Sequence, residues 1–369
     1  MARGATIFQQ MDVCMKTVFS LRHRGHANQL ELVAGAIVPG FELTSRAEYI
    51  AARIAAVELG AVIEPTEHDL KTAARVHRQD YLDFLPTIWD RWTAEGRNGT
   101  ALPFTWPTRG LRGDVLPEFI DGLLGYYSFD AGCGIVEGSW DAIKSSHDVA
   151  LTAAGLVQSG ERAAFALCRP PGHHAGAGFM GGYCYINNAA VAAQWLRDNG
   201  ARRVSILDVD YHHGNGTQEI FYARGDVQVI NLHADPMQEY PYFLGHADER
   251  GIGVGEGFNL NYPMRFGTDW TTWSQSLEDA CGKLLSYAPD VVVVSLGVDT
   301  FEKDPISKFK LRTEDFPKIG ERIARLGLPT LFVMEGGYAV EEIGVNAVSV
   351  LTGFEGAWLP VGMEQECLR

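Results

Sequence analysis

The sequence predicts a single α/β domain whose central parallel sheet is flanked by helices on both faces. Short, apolar, mostly β-branched runs alternate with helical patterns through roughly the last two hundred residues. No repeat or low-complexity linker divides the chain, and 46% of its 369 residues are apolar, which is ample for one large core. The predicted strands are, in chain order, Thr17–Ser20, Ala164–Arg169, Val204–Asp210, Val227–His233, Val291–Gly297 and Thr330–Glu335.

Two helices are clearly predicted between these strands. The run Trp140–Gln158 has helical periodicity with Ser139 as its candidate N-cap, and the alanine-rich run Asn187–Asn199 is closed by Gly200. The first fourteen residues are expected to form a tail, because the first strand pattern begins directly after them. The chain is therefore expected to consist of a tail, residues 1–14, and one domain, residues 15–369.

The segment Arg91–Gly138 departs from the alternation of strands and helices. It contains several glycines and prolines, and it carries aromatic residues that we expect to be exposed. Loops of this length in compact domains are usually functional or contact a partner. We interpret the segment as an insertion and favour a lid or an oligomer contact over a disordered excursion. Its aromatic residues include Phe104, Trp106, Phe119, Tyr126 and Tyr127.

Charge and cysteine usage argue against several classes of function. The net charge of −15 and the pI of about 5.2 disfavour binding to a phosphate backbone, and no basic stripe offsets them. The six cysteines are scattered without a C-x-x-C pair, as is typical of reduced thiols in a cytoplasmic protein. The first residues lack a basic stretch followed by a long apolar core, and the sequence contains no run of ~20 apolar residues, so we expect neither secretion nor membrane insertion. We expect a cytoplasmic protein that binds neither nucleic acid nor membrane.

Candidate metal ligands stand directly after two of the apolar runs. Asp210 and His212 follow the run that begins at Val204, and Asp299 follows Val291–Gly297. In parallel α/β sheets such side chains meet outside the carboxyl ends of the strands. A single Asp or His is usually a solvated loop residue, but buried carboxylates without a cation cost on the order of several kcal/mol each. Two carboxylates and one imidazole predict a catalytic site for Zn²⁺ or a similar divalent ion, with room left for water.

A histidine pair, His173 and His174, follows the strand Ala164–Arg169 on a turn stiffened by two prolines and a glycine. Adjacent histidines on a tight turn do not converge naturally on one ion, so we assign them to general acid–base work. Asp208 is expected to bond His173, and Asn215 to bond His174. Because a carboxylate raises the pKa of an imidazole and an amide does not, the two histidines are expected to have different roles.

Tyr338 follows the strand Thr330–Glu335 across two glycines, which allow the backbone to bring a phenol close to the site. Its hydroxyl can donate a hydrogen bond to a developing oxyanion. On this motif alone, a tyrosine that only packs at a glycine turn is an equally good interpretation. The glycine run Gly251–Gly257 lacks the G-x-G-x-x-G spacing of a dinucleotide loop, so we interpret it as a flexible loop near the pocket.

Six motifs occur along the chain in an order shared with one known family. They are Arg169-Pro-Pro-Gly-His-His-Ala, Gly181-Gly-Tyr-Cys-Tyr-Ile-Asn-Asn188, Asp208-Val-Asp-Tyr-His-His-Gly-Asn-Gly216, Ser295-Leu-Gly-Val-Asp-Thr300, Phe301-Glu-Lys-Asp-Pro305 and Glu335-Gly-Gly-Tyr338. The chain thereby resembles the zinc-dependent deacetylases of the arginase–deacetylase fold. Among these it resembles the bacterial acetylpolyamine amidohydrolases and the class II histone deacetylases.

This resemblance implies one Zn²⁺ held by Asp210, His212 and Asp299. It also implies a catalytic pair at His173 and His174 and an oxyanion donor at Tyr338. A structural K⁺ beside the metal is a further implication, bound partly through Asp208, Asp210 and His212.

The likeness to acetylpolyamine amidohydrolases extends to the segment Glu31–Phe41 and to the insertion, which in that group forms the dimer contact and narrows the channel. It places Glu31 and Asp121 at acidic substrate contacts, and Tyr183 and Tyr240 at aromatic wall positions. One acidic position of the family falls on Gly132, although Asp130 is nearby.

The expected activity is hydrolysis of a small-molecule N-acyl amide, with acetylpolyamines as the leading substrates. The expected assembly is a homodimer or a higher homo-oligomer. Two alternatives share this chemistry: an amidase for other small amides, including anilides and amide pesticides, and an acyl-lysine deacetylase. An arginase-type ureohydrolase would need a two-metal cluster, and the histidine pair and Tyr338 argue against it. The intact residue set also argues against a catalytically silent protein that only binds acyl-lysine or polyamine.

Overall fold

The structure is a computed structural model and describes residues 14–358. Apart from Cys14, the predicted tail, residues 1–14, lies outside the described residues. No helix within the described range is both long and apolar enough to cross a bilayer. The strands are β1 Lys16–Val18, β2 Leu30–Val33, β3 Ala36–Pro39, β4 Val62–Ile63, β5 Ala163–Ala166, β6 Val204–Asp208, β7 Val227–Ala234, β8 Asn259–Met264, β9 Val291–Leu296 and β10 Thr330–Met334.

The predicted parallel sheet is confirmed. Eight strands form one sheet in the order β4-β1-β5-β10-β9-β6-β7-β8, and all neighbours in it are parallel. The strands β2 and β3 pair separately as an antiparallel hairpin. Most predicted strands end later than the observed ones, because the apolar runs continue into buried loop residues such as Leu167 and Val209. Four observed strands were not predicted from the sequence: β2 and β3 of the hairpin, β4, which has two residues, and β8, an edge strand that contains Pro263.

Helices cover both faces of the sheet, as predicted. In β9, Val291 and Val293 pack into one core with residues of the helices on one face, whereas Val292 and Val294 pack into a second core with residues of the helices on the other face. Burial on both faces explains why this strand is a continuous apolar run. The helices are α1 Ser45–Ala56, α2 Gln79–Phe84, α3 Ile88–Ala94, α4 Ile120–Tyr126, α5 Ser139–Gln158, α6 Asn188–Asp198, α7 Asn215–Phe221, α8 Trp270–Tyr287, α9 Phe316–Ala324 and α10 Val340–Ala357.

The two predicted long helices are present, but one cap differs. Asn187 caps α6 by accepting a 2.9 Å hydrogen bond from the N–H of Ala190. Ser139 does not cap α5: Gly138, at a φ of 81°, stands at that position, and Ser139 is the first helical residue. The Ser139 hydroxyl oxygen instead accepts from the N–H of Val136 at 2.9 Å.

The predicted insertion, residues 91–138, contains the end of α3, the short helix α4 and a bridge between Ala101 and Ile135. Phe104 and Phe119 are 70% and 50% exposed, as expected. Tyr127 contradicts the expectation, because it is 1% exposed and stacks on Phe84. The insertion is therefore anchored to the domain by part of its aromatic set.

The topology determines where the candidate site forms. The strands β5, β10, β9 and β6 are consecutive in the sheet. The segments that follow them carry, respectively, the histidine pair, Tyr338, Asp299, and Asp210 with His212. Since all four strands are parallel, these segments leave from the same edge and converge there.

Candidate active site

Asp210, His212 and Asp299 are buried together at the carboxyl edge of the sheet, with one potential ligand atom of each within 4.8 Å of the others. His212 Nδ1 lies 3.1 Å from Asp299 Oδ2 and 3.5 Å from Asp210 Oδ1. The N–H groups of Gly336 and Tyr211 donate to Asp210 Oδ2 and Asp299 Oδ1, each at 2.8 Å, and so orient both carboxylates. Two carboxylates and one imidazole are a donor set that suits Zn²⁺ with a position left open.

The two carboxylates repel each other strongly in this buried position. Burial, and then the neighbouring Asp210, raise the pKa of Asp299 to about 7. A divalent cation would reverse that effect by favouring the ionised carboxylates. Gly336 completes the cradle, since a Cβ there would lie 2.5 Å from Asp210 Oδ2 and 2.6 Å from Asp299 Oδ2. Only glycine fits between the backbone and these oxygens.

The histidine pair has the partners that the sequence predicts. His173 Nδ1 lies 3.0 Å from Asp208 Oδ2, and His174 Nδ1 lies 2.7 Å from Asn215 Oδ1. Burial acts to lower the pKa of His173, but the carboxylates of Asp210 and Asp208 outweigh it and raise this pKa to about 10. Burial, followed by the charge of His173, lowers the pKa of His174 well below its usual value. One imidazole therefore favours the protonated form and its neighbour the neutral form.

Tyr338 is nearly buried and lies in a loop held from two sides. Its N–H donates to Asp304 Oδ2 at 2.7 Å. Arg46 donates from Nη2 to the carbonyl of Glu335 and from Nε to the carbonyl of Gly337, both at 2.6 Å. The Arg46 guanidinium also lies 4.8 Å from the centre of the Tyr338 ring. This loop is thus clamped against α1, and the phenol position is fixed with it.

A cavity of about 320 Å³ leads to the site. His174, His212 and Tyr338 are among its lining residues. Tyr240 stands edge-on to His174, with ring centres 5.1 Å apart, and Tyr183 packs at 5.6 Å from Tyr338. The predicted aromatic wall positions therefore both face the cavity.

Three carboxylates, and no lysine or arginine, are found among the lining residues: Glu31, Asp130 and Glu239. Burial raises the pKa of Glu31, although hydrogen bonds from Tyr183 and from the N–H of Phe41 oppose that rise. Asp130 accepts hydrogen bonds from the Tyr240 hydroxyl at 2.7 Å and from two backbone N–H groups. The lining of the cavity is therefore acidic and includes no basic lysine or arginine side chain.

Asp121, predicted as an acidic substrate contact, is not among the residues that line this cavity. Both of its carboxylate oxygens accept hydrogen bonds from the guanidinium of Arg97, which neutralises its charge. Gly132 lines the cavity without adding charge, and a Cβ there would lie 3.2 Å from Asp130 Oδ2. Glu31, Asp130 and Glu239 therefore supply the acidic groups of this cavity, whereas the sequence predicted Glu31 and Asp121.

Two residues of the site were missed from the sequence. Arg46 lies on α1, far along the chain from the loop that it holds, and no local pattern marks it. Glu239 directly precedes Tyr240 and accepts a 2.7 Å hydrogen bond from the Tyr211 hydroxyl. The position of Glu239 directly before Tyr240, a predicted wall residue, is the feature of the sequence that could have indicated it.

Comparison with known proteins identifies the family of this chain. The histone deacetylase domain, as a sequence family, matches residues 41–354. The chain belongs to the histone deacetylase family. The match spans all four strands that lead into the site and the segments that follow them.

Individual members of this family cover almost the whole chain. Acetylpolyamine amidohydrolase 1 of Pseudomonas aeruginosa is 58% identical over 93% of this chain and 99% of its own length. The acetylpolyamine amidohydrolase of Mycoplana ramosa is 48% identical over 93% of this chain and 100% of its own length. The crystal structure of the acetylpolyamine aminohydrolase from Burkholderia pseudomallei superposes with a TM-score of 0.89, at 38% identity, covering 94% of this chain and 100% of that one.

We expect Asp299→Ala to abolish retention of a divalent metal, because one of only two carboxylates that can share the ion is lost. Zinc content after dialysis, measured by elemental analysis, checks this. Asp148→Ala is the matched control, since Asp148 is an equally buried carboxylate that pairs with Lys144 instead. Stoichiometric zinc in Asp299→Ala would contradict the assignment.

We expect His174→Ala to lower kcat/KM by at least roughly 10²-fold and by more than His173→Ala does, because the neutral imidazole is the one that can accept a proton. Both variants should keep their metal, which separates loss of chemistry from loss of the site. The reverse ranking in kcat/KM would overturn the division of roles.

Proposed function

We propose that this protein is a zinc-dependent amidohydrolase that removes the acyl group from acetylpolyamines. The observation that carries the proposal is the anionic cavity, where Glu31, Asp130 and Glu239 line the approach to His174, His212 and Tyr338. A chain that carries an ammonium group gains charge pairing in such a cavity, and its methylene segment suits the aromatic walls. The names of the relatives from P. aeruginosa and M. ramosa support the same substrate class.

The proposed mechanism divides the chemistry among the residues of the site. A divalent ion held by Asp210, His212 and Asp299 would polarise the acyl carbonyl and make water more acidic. His174, held by Asn215, accepts the proton of the attacking water, and the Tyr338 hydroxyl donates a hydrogen bond to the oxyanion. A histidine of the pair in its protonated form then donates to the departing amine.

Other features complete the proposal. We assign a structural K⁺ to the neighbourhood of Asp208, Asp210 and His212, where the buried carboxylates favour a further cation. We assign the dimer contact to the insertion, residues 91–138, which presents Phe104 and Phe119 to its surroundings. Free cysteines at the described positions, Cys14, Cys133, Cys168, Cys184 and Cys281, support a reducing, cytoplasmic location.

Tyr338→Phe should keep the fold and the metal and lose roughly 10²–10³-fold in kcat, the usual effect of deleting one oxyanion donor. Tyr183→Phe is a matched control, because it removes a phenol of the same cavity that faces Glu31 rather than the reacting carbonyl. Single-turnover kinetics at saturating substrate measure the effect. Near-normal turnover by Tyr338→Phe would assign the oxyanion to another donor.

Glu31→Gln should lower kcat/KM for acetylputrescine roughly 10-fold or more, since a buried charge pair with the ammonium group is lost. Neutral acetanilide should be almost unaffected. Asp121→Asn is the matched control, because Arg97 already neutralises that carboxylate. If Glu31→Gln lowers kcat/KM equally for both substrates, the charge of Glu31 does not determine the preference for cationic substrates.

The substrate class itself is tested by comparing acetylputrescine, acetanilide and an acetyl-lysine peptide on the purified protein. The proposal requires the highest kcat/KM for acetylputrescine. Preference for acetanilide would favour a broader small-amide hydrolase, and preference for the peptide would favour an acyl-lysine deacetylase.

A further inference from the structure

A second group of potential metal ligands lies beside the histidine pair. One ring nitrogen of His173, the sulfur of Cys184 and a carboxylate oxygen of Glu335 lie within 4.8 Å of one another. All three residues are at most 2% exposed. Ligands around a tetrahedral zinc ion stand roughly 3.4–3.8 Å apart, so small side-chain adjustments would bring these atoms into range.

Glu335 has an unused ligand atom. Its Oε2 accepts hydrogen bonds from the N–H groups of Gly172 and His173, at 2.7 and 3.1 Å. Its Oε1 is buried and has no hydrogen-bond partner among the described residues. Buried polar atoms are rarely left unpaired, and such an atom in a native protein commonly marks a bound water or ion. This oxygen therefore points to a missing ligand.

Cys184 supplies the donor that distinguishes this group from the first site. Its thiol donates weakly to the carbonyl of Gly182, with sulfur and oxygen 3.3 Å apart. Burial raises the pKa of this thiol well above its usual value, so the free protein holds it protonated. A thiophilic cation would replace the thiol proton, which leaves to solvent as the metal–sulfur bond forms.

We propose that His173, Cys184 and Glu335 form a second, inhibitory site for a thiophilic divalent ion such as Zn²⁺. An ion bound to a ring nitrogen of His173 takes the lone pair that would accept a proton, so this imidazole can no longer form the imidazolium that donates one. The binding step stands apart from catalysis, whereas the inhibition rests on the proposed function. Zinc above one equivalent therefore inhibits the same centre that the first equivalent activates.

Binding is tested by titrating the metal-free protein with Co²⁺. The first site contains no sulfur, so a thiolate-to-cobalt absorption band reports only a site that contains cysteine. The titration uses the double variant Cys14→Ser/Cys367→Ser as its background protein. This variant lacks the exposed thiol of Cys14 and the thiol of Cys367, which lies outside the described residues. We expect two Co²⁺ per chain, with the band arising during the second equivalent.

Variants locate the second ion. On that background, Cys184→Ser should bind one Co²⁺ without the band. Cys281→Ser, which alters a buried cysteine of α8, should bind two with the band. Glu335→Gln keeps an acceptor for the Gly172 and His173 N–H groups, and should keep the first ion but bind the second at least roughly 10-fold more weakly. A single equivalent without a band in the background protein would overturn the proposal. Two equivalents in Cys184→Ser would also overturn it.

Inhibition is tested with Zn²⁺ on acetylputrescine turnover. Saturating the second site should lower kcat by about 10²-fold, the contribution of one proton-transfer group, and Cys184→Ser should lose this inhibition. Equal inhibition of the background protein and Cys184→Ser would refute the inhibitory role. If the protein binds two ions but hydrolyses no amide, the second metal site stands and the proposed amidohydrolase function is refuted.

Discussion

The density of buried carboxylates at one edge of the sheet is the constraint on which the rest of the site depends. Asp208, Asp210, Asp299 and Glu335 are each at most 1% exposed, and such charge opposes folding unless it is balanced. Backbone N–H groups and the neighbouring histidines balance part of it. The remainder is available to cations, so the stability of this edge and its affinity for metal are linked quantities.

The part of the fold that the sequence predicted is the part with a strong local signal. A strand buried on both faces, such as β9, must be a continuous apolar run, and polar residues after such runs must gather at one edge. That reasoning located Asp210, His212, Asp299 and the histidine pair. It could not find Arg46, because the clamp on the Tyr338 loop joins segments almost three hundred residues apart. Nor could it find β8, whose mixed polarity reflects its place at the edge.

Asp121 shows where inference from a related family reaches its limit. A matching position specifies the residue type but not the partner, and Arg97 sits close enough to occupy both carboxylate oxygens. Glu31, by contrast, lies in a hairpin strand whose pairing with β3 directs it into the cavity. Acidic residues counted from a sequence predict the electrostatic field of a site only after carboxylates paired with a neighbouring cation have been left out of the count.

Gly336 has a consequence for ion selectivity. Its backbone lies so close to Asp210 and Asp299 that the oxygen positions are set by the chain and not by the ion. The apoprotein and the loaded protein should therefore share one loop conformation, and ions should exchange without rearrangement of the backbone. A rigid cradle of this kind discriminates by coordination geometry more than by raw affinity. This site offers too few ligands for an ion that requires six oxygen ligands in regular octahedral geometry. For an ion that takes four ligands, it supplies most of the coordination shell in advance.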